Sequence, residues 1–168
     1  MCIYGITVLG LFGTCNGSKW REELLTKLDK EITYFNPVVD DWNEEAQANE
    51  DKHKKSDTFI LLTITPEMKG FYTIAEIIEM AYTNPCRVIF CHLDEYGGKK
   101  FDEAQTRSLK KIIKDIEAVG VTHIYDNLDD VADFINVYSR VMYNYRYDIK
   151  DVSDKWWEDE DILNEEQK

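Results

Sequence analysis

The chain has 168 residues, of which 43% are hydrophobic and 12% aromatic, and a formal net charge of −13. That length and apolar content suit one compact domain and exclude a wholly disordered chain. The acidity excludes a nucleic-acid backbone or an anionic membrane surface as the main partner, because both would repel it.

In chain order, short apolar runs alternate with helical stretches. "IYGITVLGLFG" (3–13) reads as a strand that ends in a glycine loop. "SKWREELLTKLDK" (18–30) is amphipathic, with Trp20, Leu24, Leu25 and Leu28 on one side and Ser18 as N-cap. "ITYFNPVV" (32–39) is a second strand, and Pro37 ends its regular pairing. Residues 42–55 form a polar helix. "DTFILLTIT" (57–65) is the most apolar strand and therefore central, since a parallel strand is covered on both faces. Residues 71–83 form a helix with Ile74, Ile77, Ile78, Ala81 and Tyr82 toward the core. "RVIFCHL" (87–93) is a fourth strand, and "EYGGKK" is a turn or loop. Residues 101–120 form a helix closed by Gly120, residues 121–126 a short fifth strand, and residues 128–145 a last amphipathic helix.

Strand and helix thus repeat five times with short connections. This predicts an α/β fold: a flavodoxin-like, doubly wound, five-stranded parallel sheet of order 2-1-3-4-5 with helices on both faces. Residues 1–147 form this single domain, and residues 148–168 form an acidic C-terminal tail. The Trp156-Trp157 pair in that tail suits docking on the parent fold or on an oligomer partner. Cys2, Cys15, Cys86 and Cys91 lack CxxC pairing and zinc spacing, so they read as small core residues of a reducing compartment. No basic leader with a cleavage site is evident, and no apolar run nears the roughly 18 residues that cross a bilayer. A cytoplasmic protein is expected.

In a doubly wound sheet, ligands bind beyond the carboxyl ends of the strands, near the switch in strand order. The loops expected there are 10–17, 36–42 and 65–76. The first contains Gly10, Gly13 and Gly17, but "GTCNGSK" has three residues between glycines where a P-loop has four, and GxGxxG is absent. The second offers Asn36, Asp40, Asp41 and Trp42, and Asp40 or Asp41 would equally serve as helix caps. Glu50 and Asp51 follow on the polar helix, where pairing with Lys54 or Lys55 at i,i+4 is the plainer explanation. The third loop leads to Glu76. It lies off the apolar stripe with Glu79, as a solvated face would, yet also in the first turns of the helix after the central strand. A carboxylate in that crevice, kept ionised by the helix N-terminus, suits nucleophilic attack at an anomeric carbon.

"VLGLFGTCNGSKWREELL", "YFNPVVDDW" and "EDKHKKSDTFILLTITPEMKGFYTIAE" together resemble the nucleoside 2-deoxyribosyltransferase superfamily, in particular its deoxyribosyltransferase-like branch. The likeness rests on ordered pieces over roughly residues 3–92. These are the glycine loop, N-P after the second strand, S-D opening the third, T-P closing it, and a glutamate in the next helix. The resemblance implies a flavodoxin-like fold and an enzyme that cleaves, or transfers 2-deoxyribose across, the N-glycosidic bond of a deoxynucleoside or deoxynucleoside 5′-monophosphate. Glu76 would be the nucleophile, and Glu50 or Asp51 the acid that assists the leaving base. Gly10, Phe12, Gly13 and Asn16 would line the sugar side, with Phe12 near the place of a transferase tyrosine. Asn36, Asp40 and Asp57 would bind substrate, and Lys69 would meet a phosphate. The resemblance implies no cofactor, no metal, and a homo-oligomer whose sites are completed by a neighbouring subunit. The tyrosine-rich helix 137–147 is a candidate contact surface in that expectation; the alternative is an outer helix that simply packs on the sheet. "PEMKGFYT" lacks the aspartate that the family pattern puts there, which leaves an alternative: a non-catalytic binder of a nucleotide-derived small molecule.

Overall fold

The alternation of side chains along the apolar runs determines the architecture. In β1 (Val8–Gly13), Leu9 and Leu11 join one core cluster and Phe12 the other. In β3 (Phe59–Ile64), where every residue is buried, Phe59 and Leu61 face one side while Ile60, Leu62 and Ile64 face the opposite one. β4 (Val88–His92) divides in the same way, Ile89 and Cys91 against Val88 and Phe90. A sheet that is apolar on both faces has to be covered on both. The computed structural model of the chain, which describes the backbone of residues 7–15 and 17–163 and side chains only as far as Tyr145, shows how this is done.

Five strands, with β2 (Thr33–Phe35) and β7 (His123–Tyr125) at the edges, form an all-parallel sheet of order β2-β1-β3-β4-β7. Counted along the chain, this is the expected 2-1-3-4-5 order. Helix α1 (Trp20–Leu25) and the first part of α5 (Leu128–Leu163) cover one face with Trp20, Leu24, Leu128, Val131, Ala132 and Ile135. Helices α3 (Tyr72–Thr83) and α4 (Glu103–Ala118) cover the other with Ile77, Ala81, Leu109 and Ile116. Helix α2 (Glu44–Ser56) joins β2 to β3.

Several elements differ from expectation. β2 stops at Phe35 because the Asn36 side chain accepts a bond from the Val38 amide, 3.1 Å, and Pro37 has no N–H to give a ladder. Helix α1 is short: the amides of Thr26 and Lys27 bond the carbonyls three residues back, which tightens and ends it. Its N-cap is Lys19 rather than Ser18, whose buried hydroxyl has no partner. In α3, Tyr82 is exposed and Glu76 is buried, so the buried face is rotated toward the glutamate. "EYGGKK" forms a small hairpin, β5 (Glu95–Tyr96) with β6 (Lys99–Lys100), turned by Gly97 and Gly98 at φ 59° and 72°. Of the cysteines, Cys91 is a core residue, but Cys86 is exposed in the 3₁₀ turn Pro85–Arg87 and Cys15 is exposed after β1; Cys2 lies outside the described residues. The backbone of α5 continues to Leu163; the side chains of Trp156 and Trp157 lie outside the described residues. Among the described residues, no helix is long and apolar enough to cross a membrane.

One glycine sets the geometry of the switch between β1 and β3. Gly13 has φ 120°, and a Cβ there would lie 2.1 Å from the Thr63 carbonyl oxygen and 2.6 Å from its nitrogen. The next residue locks the crossing: the Thr14 amide donates to the Thr63 carbonyl, 2.8 Å, and the Thr65 amide donates to Thr14 Oγ1, 2.9 Å. Gly13→Ala combines a strained φ with a backbone collision. It is expected to lower the unfolding free energy by roughly 2–4 kcal/mol, read as a fall in the urea midpoint with an unchanged slope.

Candidate functional site

Helix α2 carries almost no apolar side chains, so polar contacts place it. Its N-terminus is capped by Asn43, whose Oδ1 accepts from the amides of Glu45 and Ala46 at 3.1 and 3.0 Å. Acids in the first turn and His53, Lys54 and Lys55 in the last suit the helix dipole. Its last carbonyls are held by Arg87, which donates to the carbonyl oxygens of Asp57 (3.0 Å), Lys55 (3.1 Å) and Lys54 (3.3 Å). Toward the sheet, the His53 ring stacks on Phe35 with centroids 3.7 Å apart and planes 1° from parallel, and it pairs with Asp57 at 2.8 Å.

One turn earlier, the i,i+4 pair Glu50 and Lys54 turns inward instead of toward solvent. Lys54 Nζ lies 2.7 Å from Glu50 Oε1 and also bonds Glu76 Oε1 from α3. All three side chains are nearly out of water, with exposures of 12% for Glu50, 12% for Lys54 and 8% for Glu76. The ammonium lies 5.4 Å from the Phe12 ring centroid and 5.8 Å from that of Tyr72, at cation–π range. Burial drives the Glu76 carboxyl above its ordinary value; Lys54 opposes this and the neighbouring Glu50 adds to it. Burial also acts against the Lys54 charge, but its two carboxylate partners outweigh this and its value is raised.

This triad lies beside a cleft of about 390 Å³ at the carboxyl ends of β1 and β3. Phe12, Gly13, Cys15 and Arg21 line it from the β1 side; Pro37, Val38, Val39 and Trp42 from the β2–α2 loop; Glu50, Tyr72, Thr73 and Glu76 from the two helices. The cleft thus offers a charged corner, made by Glu50 and Glu76, and aromatic or apolar walls. A wider and more open hollow of about 640 Å³, lined by Asn49 and Lys52 among others, lies along the exposed side of α2. It has no buried polar group and lacks convergent chemistry.

The cleft brings together Glu76, Glu50, Phe12 and Gly13 of the residues that the sequence singles out. It does not include the others. Asp51 is exposed, one residue and about 100° round the helix from Glu50. Gly10 is buried within β1, where a Cβ would meet Phe12 and Asp57. Asp57 lies just before β3, outside the cleft lining, held by His53. Asn36 turns the chain after β2, and Asp40 and Lys69 are exposed outside the lining. Asn16 lies outside the described residues.

Two residues, Lys54 beside the cleft and Arg21 in its lining, carry no sequence motif. Lys54 could be found by its i,i+4 spacing to Glu50, but not its burial. Arg21 falls on the apolar stripe of Trp20, Leu24 and Leu28, which is the signal of a buried cation. It is 3% exposed, donating to the Leu11 carbonyl at 3.0 Å and the Thr14 carbonyl at 2.8 Å. It thereby ties down the loop that leaves β1. Among the described residues there is no group of three or more His, Cys, Asp or Glu side chains that could hold a metal ion. No family model matches the chain, and no curated protein matches it.

The raised Glu76 value has a consequence for stability. A carboxyl that holds its proton more tightly in the folded state stabilises that state below its unfolded value of 4.5, and the contribution is lost as pH rises through the folded value. Glu76→Gln, neutral at every pH, should therefore gain stability relative to the wild type as pH rises from acid to neutral. Urea unfolding of both proteins over that range checks this; a stability difference that stays constant with pH contradicts it.

Proposed function

We propose that the chain is an enzyme acting on the N-glycosidic bond of a deoxynucleoside or deoxynucleoside 5′-monophosphate, cleaving it or transferring the 2-deoxyribosyl group, with Glu76 as nucleophile. The observation that carries this reading is the buried Glu76 carboxyl at the strand switch, coupled through Lys54 to a second carboxyl, Glu50. Two carboxyls on one cleft are what a double-displacement reaction at an anomeric carbon needs.

In that reaction Glu76 attacks C1′ and the C1′–N bond breaks. Its electron pair leaves with the base, which takes a proton from Glu50. A water, or a second base, then gives a proton back to Glu50 as it attacks C1′, and the ester bond breaks to release Glu76 as the carboxylate. Phe12, Tyr72 and Trp42 offer faces on which a planar base can stack, and Val38 and Val39 add apolar surface. The same loop residues, with Phe71, form an exposed apolar rim, from 48% for Val39 to 84% for Phe71. That rim supports the homo-oligomer in this reading, since a neighbouring subunit would cover it. The cytoplasm, where nucleotides turn over, is its place in this reading.

A second reading, a binder that holds a nucleotide-derived molecule without turnover, is favoured by one contact: Lys54 already occupies an oxygen of the carboxylate that would attack.

Incubation with a panel of deoxynucleosides and deoxynucleotides, with and without a free base, should release or exchange base, followed by chromatography. Glu76→Ala should abolish the reaction with the fold intact, and Glu50→Gln should slow it by about 10²–10⁴-fold, as expected for loss of a general acid. Acid-quenched wild type should carry a deoxyribosyl ester on the peptide containing Glu76. Calorimetric binding of a panel member without any product selects the binder instead.

A further inference from the structure

Lys54 has no part in the chemistry just proposed, yet it touches both groups that do. We infer that Lys54 is a positioning residue of this cleft: its ammonium, fixed between Glu50 and Glu76 and walled by Phe12 and Tyr72, keeps the negative charge available on Glu76 and lets that charge pass to Glu50 during the reaction. The inference rests on the proposed reaction for its consequence in turnover, but not for its consequence in titration.

The geometry leaves little freedom. The bonds run to Oε1 of both glutamates, one from the same helix and one from α3, and the rings of Phe12 and Tyr72 flank the ammonium at 5.4 and 5.8 Å. Burial and the neighbouring Glu50 both act against a charge on Glu76, so without a cation there its carboxyl would hold its proton more tightly. Few other charges face them. From α1, Arg21 senses Glu50 and Cys15, but it gives its N–H groups to the carbonyls of Leu11 and Thr14 and, more weakly, to Cys15 Sγ. β1 presents the uncharged Phe12 and α3 presents Tyr72 and Thr73; Asp51, Lys52 and Lys55 of α2 point away from the cleft lining. Among the described residues, Lys54 is the cation in contact with Glu76.

The charge balance of the first step gives this arrangement its use. Before attack the charge is on Glu76, the proton on Glu50 and the ammonium between them. Attack turns Glu76 into a neutral ester, and the proton leaves Glu50 with the base, so the negative charge is now on Glu50. The triad is neutral overall at both ends of the step. One immobile ammonium within reach of both oxygens follows the charge without moving, so no reorganisation opposes the transfer.

The test uses the full chain labelled with ¹³C at the glutamate carboxyls, followed by NMR from acid to alkaline pH, with Lys54→Met, Lys54→Arg and Glu50→Gln variants. Lys54→Met should raise the apparent pKa of Glu76 by about one pH unit or more, roughly a tenfold change in proton affinity, and Lys54→Arg should largely restore it. Where turnover is present, the acid limb of kcat/KM should move with it. Glu50→Gln, which keeps the lysine and removes the like charge, should lower the Glu76 value, and it decides the matter if Lys54→Met does not fold. A Glu76 titration that is the same in wild type and in the folded variants overturns the inference. Wild type that releases no base while the carboxyls titrate as described defeats the proposed reaction and leaves the role of Lys54 standing.

Discussion

The ammonium of Lys54 between two buried carboxylates is the contact on which the cleft depends. Helix α2 has no apolar stripe to press against the sheet, so burial energy does not set its position as it does for α3 and α4. The helix is held by Arg87 at its C-terminal carbonyls, by the flat stack of His53 on Phe35, and by Lys54 reaching across to α3. Each of these is directional, and each fixes the rotation of the helix as well as its distance from the sheet. Desolvating an ammonium and two carboxyls works against folding, and their mutual attraction offsets this only while all three are present. A core of leucine and isoleucine at the same place would cost less. An arrangement kept against that gradient is the sort found where stability yields to chemistry.

The sheet makes this arrangement possible by bringing remote segments to one point. β1 and β3 are neighbours, but the chain leaves them in opposite directions, so the loops after them open a gap at their carboxyl ends. Gly13 lets the backbone of β1 cross close to Thr63, and the two Thr14 contacts then fix the crossing. Phe12 is aimed at the gap by the alternation of β1 alone. Arg21, by occupying the carbonyls that the turning loop leaves unpaired, supplies from a side chain what a longer ladder would have supplied from backbone.

How far the sequence reveals this follows from the range of the interactions. The order of the sheet was legible because apolar runs such as "FILLTI" are local signals and because short strand–helix connections admit few topologies. Glu76 was legible as a residue of the cleft through topology, since the turn after the central strand must face the crevice. The choice of Glu50 over its neighbour Asp51 was not, because it depends on the rotation of α2, which is set by Lys54 meeting a residue 22 positions away. Periodicity misplaced Tyr82 for a related reason: the helix turns Glu76 inward to meet that lysine, and the opposite edge of its stripe turns out. Asp57, by contrast, is absent from the cleft lining: S-D at the start of a strand does not say which way the side chain turns, and here it pairs with His53.

The pull of burial on Glu76 bears on the choice between catalyst and binder. A binder gains nothing from a carboxyl whose proton is held above its normal range, since a neutral amide would satisfy the same partners without the cost of desolvation. A nucleophile does gain: a carboxylate stripped of water attacks more readily, provided that a cation keeps it ionised until substrate arrives. Lys54 on one oxygen supplies that cation, and the cleft beside it leaves room for an anomeric carbon to approach. The contact that favours a silent site on first inspection is therefore also the contact that a working one would require, and the distinction lies in whether Lys54 holds Glu76 as an anion or merely fills its place.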